Sequence, residues 1–183
     1  MKKAIIFHGT DCTPALFWYP YLKKKLEKKG YKVEVPSYPE INHESISTFL
    51  PKVLANHAFD SETVLIGHSA GSPLILSVLE NLSTPIKLAV LVAGYSKMKG
   101  HEKKADSVLQ AKYNWGKIAS KSVDFILLNS DNDPWGCDDV EGRYILDKLN
   151  KGKLIVMKGE GHMGSTSYNQ PYKEFPFLLR LIE

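Results

Sequence analysis

The residues of this chain best suited to do chemistry begin with Gly67-His68-Ser69-Ala70-Gly71. The run follows the apolar stretch Thr63-Val64-Leu65-Ile66 and precedes a helical pattern, Pro73-Leu74-Ile75-Leu76-Ser77-Val78-Leu79. G-x-S-x-G between a strand and a helix is a nucleophile elbow, a sharp turn that lifts a serine hydroxyl above the end of a sheet. Glycine on each side of the serine lets the backbone close. The N–H groups that open the following helix face the same region. Serine is a weak nucleophile at neutral pH, so such a site needs an adjacent base, and the base needs an orienting partner.

Ligand crevices of wound parallel sheets lie at the carboxyl ends of the strands, so both partners are sought directly after strands. Among six histidines, His162 stands in Gly159-Glu160-Gly161-His162-Met163-Gly164, just past the apolar run Lys153–Met157. His8 ends the first apolar run and is the one rival base. His43, His57 and His101 have no strand immediately before them, and His68 must point away from its neighbour in a tight elbow. The orienting carboxylate is Asp133 in Asn129-Ser130-Asp131-Asn132-Asp133-Pro134, where it would hold the imidazole tautomer and stabilise the imidazolium. Asp131 is the alternative, and Asp133-Pro134 also reads as a helix cap followed by proline. An oxyanion would be held by the N–H of Ala70, the residue after the nucleophile. We nominate the N–H of Thr10, in His8-Gly9-Thr10-Asp11, as the second donor. Trp18, Tyr95, Trp115, Trp135 and Met163 are the candidate pocket walls.

Apolar, β-branched runs alternate with helical patterns along the whole chain. Strands are expected at Lys3–Phe7, Lys32–Val35, Thr63–Ile66, Leu88–Val92, Asp124–Leu128 and Lys153–Met157. Helices are expected near Pro14–Lys29, His43–Asn56, Ala70–Glu80, Lys103–Ser120, Cys137–Asn150 and Pro171–Ile182. In the second helix Ile46, Phe49, Leu50, Val53 and Leu54 share one face, with Asn42 as its expected N-cap. Between Tyr95 and Lys121 the pattern is less regular, and Gly94, Lys97, Lys99, Gly100 and His101 read as loop. Such alternation predicts an α/β fold, a mainly parallel sheet covered on both faces. With 183 residues, the chain is expected to form a single domain over 1–183.

Composition narrows the function. Hydrophobic residues make up 43% and charged residues 24%, an ordinary globular balance. The net charge of +4 is mild and comes largely from Lys23-Lys24-Lys25-Leu26-Glu27-Lys28-Lys29. Leu22 and Leu26 lie four apart there, so the lysines coat the outer face of an amphipathic helix. With Arg143 and Arg180 the only arginines, no nucleic-acid partner is expected. No apolar run is long enough for a bilayer or a secretory signal, so no membrane association is expected. Two cysteines, Cys12 and Cys137, are too few for a disulfide framework, which fits a reducing cytoplasm. Gly159-x-Gly161-x-x-Gly164 imitates a dinucleotide fingerprint, but too little chain follows to build the required helix and strand. No Walker pattern or zinc spacing appears, and neither cofactor nor metal is expected.

Taken in order, His8-Gly9, Phe17-Trp18-Tyr19-Pro20-Tyr21-Leu22, Gly67-His68-Ser69-Ala70-Gly71, Ser130-Asp131-Asn132-Asp133-Pro134 and Gly161-His162 span nearly the whole chain. This ordered set resembles the small serine hydrolases related to retinoblastoma-binding protein nine, within the α/β-hydrolase superfamily. The resemblance implies a doubly wound, six-stranded sheet in the order 2-1-3-4-5-6, without a large lid. It implies Ser69 as nucleophile, Asp133 as acid partner and His162 as base. Where the family often carries an apolar residue and a second proline after Asp-Pro, Trp135-Gly136-Cys137 stand here. Where it often carries an aromatic residue and Asn after the histidine, Met163-Gly164 stand. In that strand order Cys12 and Cys137 follow strands three steps apart, roughly 14 Å, which exceeds the ~7 Å Cα separation a disulfide tolerates. The expected activity is cleavage of a small ester, thioester or amide. The alternatives are acyl transfer to another acceptor, or a protein-binding module on the same fold, since some relatives bind other proteins.

Overall fold

The computed structural model describes residues 1–98 and 105–182. Six strands form one sheet: β1 (Lys3–Phe7), β2 (Lys32–Glu34), β3 (Thr63–His68), β4 (Ile86–Val92), β5 (Ser122–Ser130) and β6 (Lys153–Met157). Their order is β2-β1-β3-β4-β5-β6 and every pairing is parallel. Six helices connect and cover them: α1 (Tyr19–Glu27), α2 (Ile46–Asn56), α3 (Gly71–Asn81), α4 (Trp115–Ser120), α5 (Asp139–Leu149) and α6 (Pro176–Ile182).

Chain direction across the sheet decides which face each helix covers. Right-handed crossovers place α1, which leads outward from β1 to β2, on one face. The later connections travel the other way and lie on the opposite face. The packing agrees: α2 touches α3, α3 touches α4 and α4 touches α5, whereas α1 touches α6. The central strands between these layers lose water on both sides. All six residues of β3 are buried, as are six of the seven in β4. The winding reverses between β1 and β3, whose carboxyl ends therefore diverge into a crevice.

Helix starts differ from the sequence expectation for local reasons. Phe17 has φ +51, so the first helix cannot run from Pro14 and begins at Tyr19 with Pro20 in its first turn. In α4, Asn114 caps the helix by accepting from the Lys117 N–H, which sets the start at Trp115 rather than Lys103. Lys99, Gly100, His101 and Lys103 lie outside the described residues. α6 starts at Pro176, again a proline suited to a first turn. Asn42 is not the cap of α2. That position falls to Ser45, while Asn42 takes φ +64 and turns its side chain to Asp106 and the Val108 N–H. It thereby ties the loop after β2 to the loop after β4. On α1, Leu22 and Leu26 are buried while Lys24 and Lys25, and Lys28 and Lys29 just past its end, face outward.

Candidate active site

The elbow closes because small residues let two chain segments pass. A Cβ on Gly71 would collide with the carbonyl of Phe7 at the end of β1. Ser69 sits at φ +52, held by its own N–H on the Val92 carbonyl (2.9 Å) and by its carbonyl accepting from the Ser72 N–H (2.9 Å). A β-carbon substituent in that region of backbone space is strained, and such strain persists only where the surroundings enforce it. The payoff is exposure: Gly67, His68 and Ala70 are buried, yet Ser69 remains partly open to solvent.

Two loops from β5 and β6 bring the proposed acid and base together. His162 Nδ1 and Asp133 Oδ2 lie 2.7 Å apart, with side chains 6% and 0% exposed. The other carboxylate oxygen, Asp133 Oδ1, accepts from the Trp135 N–H at 2.8 Å. Asp131, the alternative carboxylate, has other partners in the structure. Its Oδ2 pairs with Lys158 Nζ (2.6 Å) and its Oδ1 accepts from the Gly159 N–H (2.8 Å), and these two bonds hold its carboxyl below the usual range. Asp131 instead helps to bind the two loops together. Asn132 Oδ1 accepts from the Gly161 N–H and Ser130 Oγ accepts from the Glu160 N–H. The base loop is thus fixed residue by residue, and its G-x-G-x-x-G run leads into no helix before α6.

His68 connects the elbow to the base. Its Nε2 donates to the carbonyl of His162 (2.9 Å), and its Nδ1 lies 2.6 Å from the Tyr19 hydroxyl, which donates to it. Its ring centroid is 5.0 Å from that of His162. Burial, then the neighbouring His162, pulls its pKa down to about 3, so it stays neutral. His8, the rival base, is likewise spoken for. Its Nδ1 donates to the Gly9 carbonyl, its Nε2 accepts from the Tyr38 N–H, and burial lowers its pKa. Both rings bind a proton more readily in the unfolded chain, near pH 6.5. Stability conferred by the neutral rings is therefore complete above that pH and is lost as pH falls towards the folded values. Urea unfolding between about pH 6.5 and 5, above the range of most carboxylates, is expected to lose up to about 1.4 kcal/mol per pH unit for each such histidine. A flat profile there would contradict the neutral state of the two buried rings.

A cavity of about 320 Å³ opens above the crevice, lined by residues that include Ser69, His162, Thr10, Cys12, Phe17, Tyr95, Trp135 and Ser165–Ser167. The loop after β1 runs close to the serine, since a Cβ on Gly9 would lie 3.1 Å from that of Ser69. Among the described residues the N–H groups of Thr10 and Ala70 have no protein acceptor. They are free to serve a ligand oxygen. Of the five expected wall residues, Tyr95 and Trp135 line the cavity. Trp18 and Met163 do not. Trp18 is fully buried behind the wall, where its Nε1–H donates to the Met163 carbonyl (3.0 Å), and Met163 is fully buried with it. Trp115 stands elsewhere, packed on Tyr113 and Tyr144. Phe17, Asn42, Asp106 and the 164–167 turn also line the cavity, though none is expected as a wall from the sequence. Phe17 and Asn42 share positive φ, a backbone feature that neither residue's sequence neighbours mark.

The chain belongs to the serine hydrolase family, whose model matches residues 4–180. It is 27% identical over 135 residues to YdeN of Bacillus subtilis (strain 168), covering 72% of this chain and 71% of that one. It is 25% identical over 155 residues to serine hydrolase RBBP9 of Rattus norvegicus, covering 84% and 81%. The crystal structure of the ydeN gene product from B. subtilis superposes with a TM-score of 0.88 at 22% identity, covering 100% of this chain and 97% of the other. Est1E from Butyrivibrio proteoclasticus, at 12% identity, shares the fold with a TM-score of 0.68, covering 100% and 86%. The protein is an α/β-hydrolase-fold serine hydrolase. Among its described residues no helix is long and apolar enough to cross a membrane.

Proposed function

We propose that Ser69, His162 and Asp133 act as a catalytic triad that cleaves a small carboxylic ester, thioester or amide through an acyl-enzyme. One observation carries the reading: the buried 2.7 Å contact between His162 and Asp133 lies at the wall of the cavity that Ser69 also lines. With Nδ1–H donating to Asp133, the lone pair of His162 is on Nε2, the nitrogen that can take a proton from Ser69. Ser69 Oγ then attacks the carbonyl carbon as its proton passes to His162. The oxygen that becomes negative is held by the N–H groups of Thr10 and Ala70, each such donor contributing about 3–4 kcal/mol to the transition state. His162 returns the proton to the leaving alcohol, thiol or amine. Water then attacks the acyl-enzyme, giving a proton to His162, which passes it to Ser69 Oγ as the acyl–oxygen bond breaks and the carboxylic acid leaves. The modest cavity volume favours a small acyl group. Its mixed lining, with hydroxyls of Ser165, Thr166 and Ser167 beside the rings of Phe17, Tyr95 and Trp135, favours a substrate that is part polar and part apolar.

A fluorophosphonate probe should label the wild-type protein and leave Ser69→Ala unlabelled. A panel of p-nitrophenyl esters of increasing chain length, run beside amide substrates, would then locate the acyl preference. A folded wild type that neither labels nor turns over any of the panel would favour a binding module.

A further inference from the structure

We propose that Asp133, Cys137 and His162 form a site for a thiophilic divalent cation, zinc above all, and that occupancy of this site switches the enzyme off. The switching step rests on the triad reading given above. A ring nitrogen of His162, a carboxylate oxygen of Asp133 and Sγ of Cys137 lie within 4.8 Å of one another, and all three residues are buried. Tetrahedral zinc with a thiolate at about 2.3 Å and nitrogen or oxygen at about 2.0–2.1 Å sets its ligand atoms roughly 3.3–3.6 Å apart. The ion therefore fits if the 2.7 Å contact between His162 and Asp133 opens and Cys137 Sγ closes in, each by about 1 Å or less.

The loop that delivers the acid also fixes the thiol. The Gly136 N–H donates to the Asp133 carbonyl (3.2 Å), Gly136 turns the chain at φ +74, and the Cys137 carbonyl accepts from Asn129 Nδ2 (2.9 Å). Cys137 is consequently held close to the acid–base pair, while the other cysteine, Cys12, follows β1 and is not part of this cluster. The ligand set of imidazole, thiolate and carboxylate selects zinc, cadmium or cobalt(II) over magnesium and calcium. Three protein ligands leave one position for water.

Binding has a definite proton balance. The Cys137 thiol proton leaves to solvent as the sulfur–metal bond forms. The ion takes the place of the proton on His162 Nδ1, the nitrogen that faces Asp133, and the neutral ring carries its proton on Nε2 instead. The net change is one cation bound and one proton released, with no change of oxidation state. Once Nε2 is protonated, the ring has no lone pair for the proton of Ser69, and the serine remains an unactivated alcohol. Because a proton must leave, occupancy rises with pH. The sequence hid this site: its ligands stand at 133, 137 and 162, outside the paired spacings typical of structural zinc.

Two measurements separate this inference from the triad reading. The first needs no turnover. Cobalt(II) titrated into the Ser69→Ala protein should bind one to one and give a thiolate charge-transfer band in the near ultraviolet. The band should survive Cys12→Ala and vanish in Cys137→Ala, or in Cys137→Ser should the alanine variant not fold. The second uses wild type and fluorophosphonate. Zinc should slow labelling and a chelator should restore it, while magnesium has no effect. Cys137→Ala should label at nearly the wild-type rate without metal and need at least tenfold more zinc for the same inhibition. Absence of the cobalt band, or equal zinc sensitivity in Cys137→Ala, would overturn the site. A wild type that fails to label in metal-free buffer while the band persists would overturn the triad instead.

Discussion

Ser69→Ala is expected to lower kcat for a p-nitrophenyl ester by about 10⁶, and His162→Ala by a similar factor, while the double variant is only a few-fold worse than either. The near-equality is the diagnostic part. A serine without its base is an ordinary alcohol, and a base without its serine has no proton to take, so either loss removes the same covalent step. Residual rate should come from the Thr10 and Ala70 N–H groups and from binding alone. Neither variant should unfold. Ser69 is partly exposed and keeps its backbone bonds to Val92 and Ser72 whatever its side chain. The His162 loop is held through main-chain bonds to Gln170 Oε1 and His68 Nε2 that an alanine preserves. The measurement is kcat on enzyme whose urea midpoint matches wild type. Retention of more than about 1% of kcat in Ser69→Ala would move the nucleophile elsewhere in the cavity, with Cys12 the nearest alternative by lining.

The parts of this architecture that the sequence made legible are those governed by short-range rules. β1 and β6 fall on the residues their apolar runs mark, because a short apolar, β-branched run favours a strand both in the buried β1 and in the half-exposed edge strand β6. Ser69 was legible because the elbow is a local steric solution, its glycines and serine all within five residues. What escaped depends on partners distant in the chain. Asn42 looks like a cap from its neighbours, yet its side chain is claimed by Asp106 and Val108. Trp18 and Met163 look like pocket walls because each flanks a site motif, yet they bond to each other across 145 positions and seal the core behind the site. His68 shows the same limit. Its sequence position says only that it points away from Ser69. That it carries the link from Tyr19 to the His162 carbonyl is a fact of three dimensions.

Asp133→Asn should lower kcat by about 10⁴, equivalent to about 5 kcal/mol of lost transition-state stabilisation, while leaving the fold intact. The geometry says why an isosteric change costs so much. The Trp135 N–H donates to one oxygen of Asp133, so an asparagine there keeps its carbonyl oxygen on Trp135 and presents its NH₂ to His162. An NH₂ donor requires His162 Nδ1 to accept, which places the ring proton on Nε2 and removes the lone pair that activates Ser69. The imidazolium formed in the reaction would also face a donor in place of a carboxylate. The two hydrogen bonds survive, and so does stability; only the tautomer is wrong. Asp131→Asn is the control two residues away. It weakens the pair with Lys158, whose side chain is 94% exposed, and leaves the His162–Asp133 bond untouched. A solvent-screened pair of that kind adds little to the fold, and with the acid–base contact intact kcat should stay within a few-fold of wild type. Steady-state kinetics on both variants decide the matter. A mild Asp133→Asn beside a severe Asp131→Asn would transfer the acid role and break the link between the 2.7 Å contact and catalysis.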